Sequence, residues 1–247
     1  MSESKHTKIL FNASFVSTFK AENEIVALAI QDGRIVELFP ALPTKTNQDE
    51  WIDCQGGVVL PGIVDAHFHL RNLGHVQRQA DLHGTLGFQD VTKRLYDYHS
   101  AHRGSWLLGR GWDQNLWPEQ KFPDADFLDA LDIEKPIYLT RVDGHAAWVN
   151  SKALPLARIG RETQDPLGGL ILRDAQGEVT GILIDTAMEL VQAVMPEPSD
   201  EEIRRDFQLA CARCVRQGLS GVHDMGTSVQ ELAVLKKMAA AGELPLR

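Results

Sequence analysis

VVLPGIVDAHFHL, residues 58–70, is the stretch around which the rest of this chain can be ordered. An apolar run meets Pro61-Gly62, resumes at Ile63 and Val64, and ends in Asp65-Ala66-His67-Phe68-His69. Successive side chains of a β-strand point to opposite faces, so His67 and His69 share one face and Phe68 takes the other. Two neighbouring imidazoles at a strand end are poor core material and good metal ligands. A bare His-x-His is also what a half-exposed strand shows, so its surroundings decide. Asp65 has two readings: an acceptor that orients a ligand histidine, or a strand-end carboxylate that caps loop amides.

With 247 residues, 43% of them hydrophobic, the chain can bury a sizeable core in one large domain or two small ones. Its net charge of -9 opposes nucleic-acid binding. No apolar run approaches transmembrane length, and the polar start MSESKHTK leads into no hydrophobic segment. Cys54 stands apart from Cys211 and Cys214, which share a helical pattern with no second Cys/His pair at zinc-finger spacing. The pair therefore reads as small apolar residues rather than metal ligands. These features describe a reducing, cytoplasmic protein with no membrane and no nucleic-acid partner.

Residues 8–19 and 24–39 are β-rich, and Asp32-Gly33 between two apolar runs predicts a hairpin. Trp51–Cys54 reads as a further short strand closed by Gly56-Gly57, so residues 1–57 predict a small antiparallel module. A loop is expected from His69 to Gly87, then a helix on Phe88, Val91, Leu95 and Tyr98 that ends by Gly104. Ser105–Leu108 predicts a strand, and the aperiodic stretch holding Trp112, Asp113, Gln114 and Trp117 a structured loop. A short helix at Phe127–Leu131 and a strand at Pro136–Arg141 follow. Residues 168–185 form a second hairpin turning at Asp174–Gly177, and a helix then runs to Val194. Ser199 with Glu202 makes a capping box before a helix whose buried face is Ile203, Phe207, Ala210 and Cys214. Gly218 stops it, Leu219–Met225 is a strand, and Ser228 with Glu231 caps a last helix.

Five blocks in order carry a resemblance: QDGRIVEL (31–38), GGVVLPGIVDAHFHL (56–70), GRGWDQNLWPEQKFPDADFLDAL (109–131), RVDGHAAWVNSKAL (141–154) and LSGVHDMG (219–226). Together they resemble the amidohydrolase superfamily, most closely its amidohydrolase-3 branch of N-substituted formamide deformylase-like, metal-dependent hydrolases. The resemblance implies an α/β chain built on a (β/α)8 TIM-type barrel. Residues 1–57 would be the first part of a composite β-sandwich, and residues 75–200 a large α+β insertion. Residues 58–74 and 201–247 would supply barrel strand one (58–68), strand two (219–225) and the entrance to strand three (LPLR, 244–247).

On this resemblance His67 and His69 are metal ligands at the C-terminal end of strand one, the face on which such barrels carry their sites. The cofactor is a divalent metal, with zinc the first choice, and the partner a small-molecule amide-type substrate. Metal-activated water would cleave an amide, formamide or related C–N bond. The family's remaining ligands, a lysine, two later histidines and an aspartate, belong to later strands and map to nothing here; Lys236 and Lys237 lie on the last helix. A barrel alone takes about 250 residues, so the chain reads as an N-terminal half with the barrel incomplete. No catalytic residue is assigned, and the chain by itself is expected to be weakly active or inactive and prone to aggregation. The alternatives are a non-catalytic remnant and a small-molecule binding module that lost its metal.

Four further residues are candidates for substrate contact. His145, in Asp143-Gly144-His145, either borders the pocket or is a structural loop histidine. Trp112 and Asp113 are a pocket wall and its anchor, or packing, which is the plainer reading of a large aromatic. Asp224 ends the proposed second strand next to His223, and alternation lets only one of them face the barrel mouth. His6, His75, His83, His99 and His102 read as surface residues.

Overall fold

In the computed structural model, which describes residues 7–16, 25–102 and 104–247, the Asp32-Gly33 turn forms as its sequence predicts. Both residues take positive φ, 51° and 73°, as a two-residue primed turn requires. The chain is a mixed α/β structure made of two units, Met1–Val64 with Gly218–Gly221 and Asp65–Gln217 with Val222–Arg247.

In the first unit, β1 (Lys8–Phe15), β2 (Ala27–Gln31) and β3 (Arg34–Phe39) pair antiparallel, and β4 (Glu50–Val59) returns beside β1 in parallel. The expected antiparallel module is therefore a mixed sheet of order β3-β2-β1-β4. Gly56-Gly57 bend the fourth strand instead of ending it: Gln55 and Gly56 take φ of 55° and 76° where the register with β1 slips near Asn12. The Asn12 amide and the Gln55 N–H both donate to Asp53 Oδ1 at 2.8 Å and hold that bulge. Ile9, Ala27 and Ala29 make a small core with Phe11, Phe39 and Trp51, while Ile35, Val36 and Leu38 of β3 stay exposed. His6 and the expected strand end at 17–19 lie outside the described residues.

The strand expected over 58–68 is two. Pro61 offers no N–H to a ladder, so β4 ends at Val59 and β5 (Ile63–Phe68) starts anew. Where a loop was expected after His69 there is α1 (Leu70–Val76), followed by β6 (Ala80–Asp81). Gly74 sits mid-helix because a Cβ there would stand 1.8 Å from the Asp206 carbonyl oxygen.

The next elements are α2 (Phe88–Ala101), β7 (Leu107–Trp112), α3 (Ala125–Asp129), β8 (Ile137–Arg141), β9 (Ala146–Val149), α4 (Ala153–Leu156), β10 (Gly169–Arg173), β11 (Val179–Asp185) and α5 (Ala187–Gln192). Their strands form one sheet of order β10-β11-β9-β8-β7-β6, with β6, β7 and β8 parallel and the rest antiparallel. Trp112 thus closes a strand rather than sitting in a loop. Gly111, at φ 104°, takes up the register shift between Arg110 and Trp112. Trp112, Trp117 and Trp148 are at most 1% exposed. They pack with Phe88 and Phe127, and each indole N–H donates to a carbonyl: Leu139 at 2.8 Å, Thr85 at 3.0 Å and Asp124 at 2.7 Å.

Finally come α6 (Asp200–Arg216), β12 (Leu219–Asp224) and α7 (Val229–Ala240). Both predicted capping boxes form reciprocally. β12 pairs with β5. Ser220 Oγ donates to the Ile63 carbonyl at 3.0 Å and the Met225 N–H to that of Phe68 at 2.9 Å, so the two strands advance in the same direction. The Val222 N–H donates to the Arg247 carbonyl at 2.9 Å, drawing residues 244–247 alongside β12. Among the described residues no helix is long and apolar enough to cross a membrane.

Gly74→Ala should gain about 1 kcal/mol of helix propensity and lose more than about 2 kcal/mol to overpacking against α6. The expected result is a lower urea midpoint with an unchanged slope; a midpoint equal to or above wild type would contradict the close approach of α1 and α6.

Candidate metal centre

His67 is the fifth residue of β5, and His69 is the residue before α1. Their ring centroids lie 5.6 Å apart with planes at 82°. With zinc–nitrogen bonds of about 2 Å, each ring centre sits about 3 Å from a shared ion, and two tetrahedral ligands then stand about 5 Å apart. The observed separation of the ring centres is close to that spacing.

The surroundings fix His69 on both sides. Asp224 Oδ2 accepts the Leu70 N–H at 3.2 Å and its Oδ1 accepts the Gly226 N–H at 3.0 Å. A Cβ at Gly226 would meet the His69 ring at 3.3 Å, so glycine there gives the imidazole room. Asp65 Oδ1 accepts the His67 N–H at 3.0 Å, which favours the amide-capping reading of that carboxylate. A cleft of about 220 Å³ opens beside His69, with Arg71, Asn72, His75, Asp224 and Glu231 around it. Asp224, rather than its neighbour His223, is the strand-end residue that lines it.

Beneath the cleft lies a charge network the sequence did not disclose. Arg71 Nη1 holds Glu231 Oε1 at 2.7 Å, and its Nε is 3.5 Å from Asp206 Oδ2. Arg78 Nη1 donates to Asp206 Oδ1 at 2.9 Å, and its Nη2 reaches Glu202 Oε1 at 3.3 Å. His75 Nδ1 lies 3.7 Å from Asp206 Oδ2, so His75 is part of this network rather than a plain surface residue. The Asp206 side chain is 1% exposed. Burial pushes its carboxyl up, but His75 and Arg78 outweigh burial and hold it below the usual carboxylate value. Glu231 behaves alike: burial raises it, and the Ser228 amide and Arg71 bring it below its ordinary value. One signal was available, since Asp206 falls between Ile203 and Phe207 on the face the sequence assigns to the core. A carboxylate there demands buried cations. Arg71, His75 and Arg78 carry no such signal, because the polar stretch around Gly74 shows no helical pattern of its own.

The other candidates lie elsewhere. Trp112 is fully buried, and its indole N–H donates to the Leu139 carbonyl within the core. Asp113 Oδ1 accepts the Asn115 N–H at 3.0 Å and stands 3.5 Å from Arg141 Nη2. His145 is well exposed at the end of the six-stranded sheet, with Nδ1 2.8 Å from Asp185 Oδ1. Burial pushes the Cys211 thiol up to about 11 and that of Cys214 upward, in keeping with apolar packing. Among the described residues no group of three or more His, Cys, Asp or Glu side chains is arranged to hold a metal ion.

The chain is similar to known proteins. The sequence profile of the Amidohydrolase family matches residues 50–247. YtcJ of Bacillus subtilis is 32% identical over 97% of this chain and 47% of its own length. The N-substituted formamide deformylase of Arthrobacter pascens is 28% identical over 96% of this chain and 46% of its own. A crystal structure of an uncharacterized metal-dependent hydrolase from Pyrococcus horikoshii matches with a TM-score of 0.73 at 23% identity, over 98% of this chain and 47% of that one. This last is a likeness of fold. The chain spans about half the length of these two curated relatives.

Asp206, with its folded-state carboxyl lowered, contributes stability that is present above about pH 4 and lost as pH falls through the folded value. Asp206→Ala, which takes from Arg78 and Arg71 the buried carboxylate they share, should cost about 3 kcal/mol at pH 7 and weaken the acid dependence. Urea melts at pH 7 and pH 3 check this. A variant that loses stability on acidification as steeply as wild type would remove Asp206 from the account.

Proposed function

Because the chain belongs to the amidohydrolase family, we propose that it carries the first part of a metal-dependent hydrolase that cleaves C–N bonds in small amide-type molecules. The observation that bears most weight is the pair His67 and His69, side by side at the end of β5 with ring centres 5.6 Å apart. A zinc ion there would supply acidified water and polarise a carbonyl. The chain's own residues hold and orient. His67 and His69 are the ligands, and Asp224 braces the amide that follows His69 and the amide of Gly226, which packs against the His69 ring. Arg71 and Asn72 offer donors around the adjoining cleft. Asp113 and His145 are the proposed polar contacts to substrate. A catalytic zinc usually has three protein ligands, and the two here leave the chain alone with little hydrolytic activity.

The same reading orders the fold. β5, β12 and residues 244–247 are proposed as barrel strands one, two and the entrance to three. The parallel run of β5 and β12, with α6 before β12 and α7 after it, supports this. Residues 75–200 would be the insertion between the first two strands. Residues 1–57 would be one layer of a sandwich whose second layer covers Ile35, Val36 and Leu38. The three unpaired cysteines support a reducing, cytoplasmic setting.

Zinc titration of the purified chain, read by calorimetry, tests the centre. One equivalent should bind saturably, and a His67→Ala/His69→Ala double variant should lose it while His145→Ala keeps it. Undiminished zinc uptake by the folded double variant would sink the proposal.

A further inference from the structure

The edge of the six-stranded sheet carries a second cleft, of about 360 Å³, past the C-terminal end of α1. Gln77, Gln79, Asp81, His83 and Arg110 are its polar lining, and the Gln77 carboxamide is spent on the Leu73 carbonyl at 3.0 Å. Arg110 stands out by its lack of a partner. Every other half-buried arginine among the described residues (Arg71, Arg78, Arg94, Arg141, Arg173 and Arg204) holds a carboxylate or a carbonyl. The Arg110 guanidinium holds neither. A half-buried cation gives up part of its hydration, and a matching anion restores what is lost.

The strand geometry presents Arg110 to this cleft. A Cβ at Gly109 would point to Leu139 and Ala80 in the core, so Arg110, the next residue, projects from the opposite face, level with Asp81. Beside it the His83 ring is held from several directions. Asp81 Oδ1 takes its Nδ1 at 2.7 Å and its backbone N–H at 3.1 Å. Arg94 clamps the carbonyls of Asp81 and His83 at 2.8 and 2.9 Å. A Cβ at Gly111 would lie 2.4 Å from His83 Nδ1, so the ring packs on a bare α-carbon. With Nδ1 occupied, Nε2 is the nitrogen left to meet a ligand. The Gln79 carboxamide has no protein partner either.

We propose that this cleft binds an organic carboxylate, with Arg110 as its anchor and Gln79 and His83 as flanking hydrogen-bonding groups. A planar carboxylate matches the two-pronged face of one guanidinium. A phosphate dianion would meet only that one cation and the repulsion of Asp81. The site does not rest on the metal reading, since none of its residues belongs to the cleft beside His69.

The test uses the whole 15N-labelled chain, titrated with sodium acetate against sodium chloride at constant ionic strength. The Arg110 Nε–H and Gly111 amide resonances are followed. Acetate should shift both saturably and chloride should not. Arg110→Met should weaken acetate binding about tenfold or more, the loss of one charge-assisted pair. Gln79→Met should weaken it less, and the His67→Ala/His69→Ala variant should bind acetate as wild type does. Equal shifts with chloride, tighter binding of inorganic phosphate than of acetate, or an Arg110→Met variant that binds acetate normally would each overturn the proposal. Should Arg110→Met fail to fold, Gln79→Met decides alone, and unchanged acetate affinity there is a negative result.

Discussion

A carboxylate that is 1% exposed in the middle of a helix cannot be left alone, and Asp206 is that carboxylate. Meeting its charge requires Arg71 and Arg78 from α1 and the residues just past it, and bringing them close requires the bare backbone of Gly74. Arg71 then reaches on to Glu231, which is itself locked into the capping box that starts α7. One buried charge thus sets the positions of three helices. The start of α1 is where His69 sits, so the orientation of a proposed metal ligand descends from an ion pair that never touches it.

The second constraint is local. Asp224 uses one oxygen on the first amide of α1 and the other on the amide of Gly226, so the end of β12 and the start of α1 are registered to each other through a single side chain. Strand ends that carry functional groups need such bracing, because a side chain on an unsupported loop loses its aim.

Much of this was legible from sequence where the information is local. The Asp32-Gly33 turn, the hairpin over 168–185, the capping boxes at Ser199 and Ser228, and the buried stripe of α6 depend on residues a few positions apart. That the His67 and His69 rings are neighbours was legible for the same reason, since they stand two residues apart at the end of a strand. What escaped depends on distant partners. α1 was hidden because its glycine looks like a loop residue until α6 is seen pressing on it. β4 runs through two glycines because β1 holds it in parallel, and parallel pairing leaves no short-range mark. The strand that ends at Trp112 is hidden in the sequence because the bulge at Gly111 breaks the alternation that announces a strand. The Asp206 network is tertiary throughout, and Arg110 is singular only by comparison with the partnered arginines elsewhere.

The tryptophan cluster also makes the molecule optically informative. Trp112, Trp117 and Trp148 stand with ring centres 6.0 to 6.1 Å apart at fixed mutual tilts. At that spacing their strong far-ultraviolet indole transitions couple, so the circular dichroism of the chain in that band carries an exciton contribution from this cluster. Trp51 lies in the other unit, edge-on to Phe11 with the Lys45 ammonium 5.9 Å from its ring. A charged group is therefore among the immediate neighbours of this ring. The five tryptophans of the chain are distributed so that light distinguishes the loosening of one unit from the loosening of the other.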